Sequence, residues 1–144
     1  MRNLPAIIVA LAVAAGCAPP VTQNDPVAAP QQQTASIDPI VEFLLSAAAR
    51  DFHAHGPAVS GFRDVRIGHV TTDGGERQYR LCGEFLPARD DGKAQWTSFA
   101  TIKTSDYEQW IGGQGSSFCQ EPSMTWDETG DLSSALRSRL DSLR

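Results

Sequence analysis

The sequence predicts an α+β domain with an N-terminal helix, a three- to four-stranded antiparallel meander, and a C-terminal helix packed on one sheet face. Two observations carry this reading. Apolar residues recur at helical spacing near residue 40 and again near the C-terminus, and between those segments the apolar period shortens to two, interrupted by Asp-Gly turns. The first helix opens at Asp38-Pro39, where Asp38 can cap and Pro39 can occupy the first turn. Ile40, Val41, Phe43, Leu44, Ala47, Ala48 and Phe52 then form one broad stripe, and Gly56-Pro57 ends it. From Phe62 the strand pattern places Val65, Ile67 and His69 on one face and Asp64, Arg66 and Gly68 on the other. Thr72-Asp73-Gly74-Gly75 is a hairpin signal, and the next strand, Gln78 to Leu86, alternates Tyr79, Leu81, Gly83 and Phe85 against Arg80, Cys82, Glu84 and Leu86. A second turn at Asp90-Asp91-Gly92-Lys93 leads into Gln95 to Lys103, with Trp96, Ser98, Ala100 and Ile102 opposing Thr97, Phe99 and Thr101. Gly112, Gly113 and Gly115 read as a tight turn before a short strand around Phe118-Cys119. Leu132, Leu136, Leu140 and Leu143 close the chain as a helix behind a cap at Thr129 or Asp131.

Composition narrows the function classes. Hydrophobic residues make up 41% of the 144, but 12 of them fall within positions 1–16, which leaves about 37% in the remainder. The core is therefore small, and neither a second domain nor a large buried cofactor is expected. The 12 Gly and 9 Pro argue against a long coiled coil, and a net charge of -5 argues against a nucleic-acid partner.

The first residues form an address. Arg2 precedes an apolar run from Leu4 to Ala15, too short for a bilayer span of about 20 residues and laid out as a signal peptide over 1–16. Ala14-Ala15-Gly16-Cys17 resembles the bacterial lipobox, which implies acylation of Cys17 and its exposure as the first mature residue. By the same resemblance, Ala18 rather than Asp after that cysteine implies sorting to the outer membrane, facing the periplasm. Residues 17–35 hold Pro19, Pro20, Pro26 and Pro30 and a Gln run, with no aromatic residue. Such a segment cannot build a core; as polyproline II at about 3.1 Å per residue it would reach on the order of 50 Å. The folding unit is then 36–144.

Cys82 and Cys119 are the cysteines that remain, and an oxidising envelope makes their pairing the expectation. A loop of that length is stabilised by about 4 kcal/mol in the chain-entropy model. A reactive thiol or metal-thiolate site would want a CxxC spacing, which is missing. His53 and His55 near the end of the first helix are weak candidates for copper or zinc, and favouring the helix dipole is the preferred reading. His69 has no acidic neighbour in sequence.

No G-x-S-x-G, H-E-x-x-H or phosphate loop is present, so no catalytic residue is assigned and no cofactor is called. Glu84, Asp90, Asp91, Asp127 and Glu128 could pair as in a glycosidase, but nothing in the sequence separates them from solvated residues. Trp96, Tyr107, Trp110, Phe118 and Trp126 fall within 31 residues and are the candidate binding surface, with core packing an equal claim on them. Arg63, Arg66, Arg77, Arg80 and Arg89 cluster on the first hairpin and its exit. In regular strands Arg63 and Arg66 point to opposite faces, as do Arg77 and Arg80, and no continuous basic stripe follows.

Phe62-Arg63-Asp64-Val65-Arg66, Tyr79-Arg80-Leu81-Cys82-Gly83-Glu84 and Phe99 together resemble a small exported proteobacterial domain with an FRxVR strand, a hairpin and a CGE strand. The resemblance implies the sheet and the export, and no activity. The expected function is a non-enzymatic envelope lipoprotein, held to the membrane by its lipid, that binds another envelope protein or a glycan. The second reading is a cell-wall-acting enzyme or enzyme inhibitor.

Overall fold

The computed structural model describes residues 38–89 and 91–144. The signal peptide, Cys17 and the tether up to residue 35 lie outside the described residues, as does Asp90. The predicted α+β class is the one observed. Helix α1 spans Pro39–Ala54, strands β1 to β4 span Val59–Thr71, Arg77–Pro87, Thr97–Lys103 and Tyr107–Ile111, α2 spans Gly113–Cys119, β5 Thr125–Trp126 and α3 Ser133–Asp141. The sheet order is β4-β3-β2-β1-β5, antiparallel throughout. No helix among the described residues is long and apolar enough to cross a membrane.

Local chemistry explains the boundaries. The Asp38 carboxylate accepts from the Ile40 N–H at 2.8 Å and Pro39 opens the first turn, so α1 starts where capping predicts. Thr72 and Gly75 close the first hairpin, with Gly75 at φ 81°. The core lies between the sheet and the pair α1 and α3. It holds Leu44, Leu45, Val65, Ile67, Leu81, Phe85, Phe99, Leu136 and Leu140, with Phe52 edge-on to Phe62, Phe85 and Phe99 at centroid distances of 5.0 to 5.3 Å. The Arg139 guanidinium donates to both carboxylate oxygens of Glu42, which ties α3 to α1.

Three expectations are corrected. Tyr107–Ile111 is a fourth full strand, and the glycine run that follows opens a helix rather than a loop, so Phe118-Cys119 ends α2 and is not a strand. Gly112 makes the entry at φ 69°, and a Cβ on Gly115 would come within 2.8 Å of the Trp110 carbonyl oxygen; the glycines exist to turn the chain and to let α2 sit directly on β3. Leu143 lies beyond α3 and is exposed, because that helix ends at Asp141.

The fourth difference governs the site. Strand β1 is not regular: pairing runs Arg63↔Glu84 and then Arg66↔Cys82, so Asp64 and Val65 together face one partner residue. This is a β-bulge, and Asp64 takes φ 53° there, the single non-glycine positive φ among the described residues. Val65 has no paired residue in β2, so its backbone groups do not rely on ladder hydrogen bonds to that strand. They are satisfied from the C-terminal segment: Ser133 Oγ accepts from the Val65 N–H at 3.2 Å, and the Leu132 N–H donates to the Val65 carbonyl at 2.7 Å. Asp127 N–H donates likewise to the Ile67 carbonyl, so the chain from β5 to α3 covers the β1 edge.

Candidate functional site

Because side chains alternate along a strand, an inserted residue reverses which face the following ones occupy. Phe62 and Val65 consequently both pack on the helix-covered core, and Arg63 and Arg66 both project from the opposite face. The expectation that Arg63 and Arg66 part company is thus overturned by the bulge. Arg80 joins them on the outer face through its pairing with Gly68 and Ile102, next to Cys82 in β2.

Each of these arginines lies over an aromatic ring. Arg63 lies 4.4 Å from the Trp96 ring centre, Arg66 4.4 Å from that of Trp126, and Arg80 5.4 Å from that of Phe118. Arg63 also donates to the Glu84 carboxylate at 2.6 Å. Arg80 is buried; it donates at 2.5 Å to Glu121 and at 2.8 Å to the Phe118 carbonyl, fixing the segment after α2 against the sheet. That hydrogen bond from Arg80 lowers the pKa of Glu121, with Ser123 adding to it. Arg66 forms no ion pair with any described residue.

The predicted aromatic surface divides. Trp96 and Trp126 stack under the two arginines at the rim of the outer face. Trp110 and Phe118 pack against each other, with ring centres 5.5 Å apart, over Cys82, Ala100 and Ile102. Tyr107 is corrected out of the group: it pairs with Lys103 on the α1 side of β4, where burial, then the charge of Asp51, raises its pKa. Cys82 and Cys119 are bonded as expected, with Cα atoms 5.8 Å apart, and the bond pins the end of α2 to the centre of β2.

The outer face is thereby half covered. Between α2, the bulge and Trp126 lies an open groove of about 180 Å³ lined by Asp64, Arg66, Glu84, Ser98, Ser116, Gln120 and the disulfide. Sequence reasoning missed Ser116 and Gln120, since the glycines before them read as a turn, and it put Arg66 on the opposite face from Arg63, since the bulge was not seen. One signal was available: Phe62 and Val65 are both apolar at an odd spacing, which a regular half-buried strand does not allow.

The other candidates do not converge. His53 and His55 are both exposed, and His55 leans on Asp51 at 3.5 Å. Among the described residues no group of three or more His, Cys, Asp or Glu is placed to hold a metal. His69 has an acidic neighbour after all, Asp127 at 3.5 Å, brought beside it by β5. Glu84 borders the groove while Asp127 borders a separate cavity next to Tyr79, and Asp91 is engaged by Arg89. No family model matches the chain, and no curated protein or solved structure is significantly similar to it.

Proposed function

We propose that the protein is a lipid-anchored envelope module, without catalytic activity, that binds another envelope component through the outer face of its sheet. The observation that carries this reading is that one bulge puts Arg63 and Arg66 on the face away from α1 and α3, where Arg66 and Trp126 line an open groove and the Arg63-Trp96 pair is tied to it through Glu84. Stacked Arg-Trp pairs are rigid and present donors at low entropic cost, which suits recognition. The anchor and the outer-membrane location rest on the lipobox resemblance at Cys17 and on the tether, and the exported-domain resemblance agrees with them.

Site-directed photocrosslinking in cells tests the binding face. Probes at Gln95 and Gln120, both exposed on or beside the outer face, should capture a discrete envelope component, whereas a probe at Arg50 on α1 should not. Capture from Arg50 alone would reject the outer face. Labelling with radioactive palmitate tests the anchor: the wild type should incorporate label and Cys17→Ser should not.

A further inference from the structure

The groove on the outer face has a charge pattern that specifies its ligand. Resting on the reading above, we infer that it receives an amino-acid head group, a carboxylate and an ammonium on one carbon, of the kind presented by the free end of a diamino acid in a cell-wall peptide. Arg66 supplies the carboxylate receptor. Its guanidinium lies 4.4 Å from the centre of the Trp126 ring, and that ring also packs closely on β1, where a Cβ on Gly68 would come within 3.0 Å of it. Trp126 is thus engaged by both Arg66 and the β1 backbone. Its role is to orient Arg66, whose N–H edge stays available for a bidentate carboxylate.

The ammonium has partners as well. Glu84 and Asp64 border the same groove; Arg63 neutralises Glu84 at 2.6 Å and lies 3.8 Å from Asp64, which is exposed and has oxygens to spare. The groove is lined by one cation, Arg66, and two anions, of which Glu84 is paired with Arg63 outside the lining, so a simple anion would meet repulsion from Asp64 and a simple cation from Arg66. A zwitterion satisfies both signs at once. Asp131, the remaining acid near Arg66, is already engaged by the Ser133 N–H and hydroxyl. Ser98, Ser116 and Gln120 supply neutral hydrogen bonds along the walls. Size agrees: about 180 Å³ admits a head group, and because the groove is open the rest of the peptide can stay in solvent.

Calorimetric titration of the mature protein in mild detergent tests this. The probe is a tripeptide ending in meso-diaminopimelate with its side-chain amino-acid end free. Binding should weaken at least tenfold when that end's carboxylate is amidated, when its amine is acetylated, or when lysine replaces the diamino acid, since a charge-assisted bidentate bond is worth about a factor of ten or more. Arg66→Gln should lose the free-end tripeptide by a similar factor and Arg66→Lys by nearly as much, while Ser138→Ala on α3 should bind as wild type. The intact disulfide and an unchanged melting curve show that each variant folds. Equal binding of free and masked tripeptides, or no binding of the free one, overturns the inference. If crosslinks from Gln95 and Gln120 persist in that case, the binding-face reading survives and only the ligand class falls.

Discussion

The two faces of this sheet are built by different means. The face under α1 and α3 is closed by aliphatic and phenylalanine side chains, and Phe99, Leu44, Leu45 and Leu81 are fully buried there. The outer face has few aliphatic residues, and its covering is one short helix, a disulfide, a buried Arg80 and three Arg-aromatic pairs. A small domain that spends its apolar residues on one side must hold the other by covalent and polar links. Those links are local and leave gaps between them. The groove is such a gap, with its walls fixed on three sides.

The contrast makes its largest prediction on the helix-covered face. Phe99→Ala removes a ring packed against Phe52 and Phe62 and should destabilise by about 3 to 5 kcal/mol in denaturant unfolding. On the outer face no single side chain should matter as much as the crosslink. Replacing both Cys82 and Cys119 with Ser should cost about 2 to 4 kcal/mol, since the bond closes a separation of 37 residues. Hydrogen exchange should then show α2 opening well before α1. Equal exchange in the two helices would mean that the disulfide does not hold the outer face.

A smaller effect separates the faces by their ion pairs. Glu121 is the sole carboxylate on buried Arg80 among the described residues, so Glu121→Gln leaves that charge poorly compensated and should cost about 1 to 2 kcal/mol, discounted because Glu121 is 40% exposed. Glu42 on the other face has the same sign of shift, caused first by its hydrogen bond from Arg139. A carboxyl whose folded pKa is depressed stabilises above its unfolded value, about 4.3 for Glu, and that stability is lost as pH falls through the folded value. Stability of the wild type should therefore decline below about pH 4.3, and Glu121→Gln should show a shallower decline. An identical acid slope in the variant would show that the Arg80 pair contributes nothing to it.

What could be read from the chain follows the same division. Side-chain period and capping depend on neighbours a few residues away, so α1, β2, β3 and the first hairpin were legible from Asp38-Pro39, the alternation around Leu81, and Asp73-Gly74. The Cys82–Cys119 bond was legible from the cysteine count, under the expectation of an oxidising envelope. The glycine run before Ser116 was not, because Gly115 is required by the closeness of α2 to β3, a tertiary cause that mimics a turn in sequence. Four of the five aromatic candidates share the outer face, and Tyr107 left them for a reason that parity could have shown once β4 was known. The bulge was the costliest omission, since it alone moves Arg63 and Arg66 to one side.

That bulge yields the smallest and most specific prediction. Asp64 holds φ 53°, a conformation that costs an L residue about 1 kcal/mol and that glycine adopts freely. Its carboxylate lies 3.8 Å from Arg63 and is 77% exposed, so little packing is lost with it. Asp64→Gly should keep the two-to-one pairing against β2, keep Arg66 over Trp126, and change stability by about 0 to 0.5 kcal/mol in the stabilising direction, the relief of about 1 kcal/mol of strain being largely offset by the added freedom of the unfolded chain. Asp64→Val, branched at Cβ, should go the other way. If both variants destabilise alike, the carboxylate rather than the backbone conformation is what position 64 contributes, and the Arg63 ion pair becomes part of how the groove is shaped.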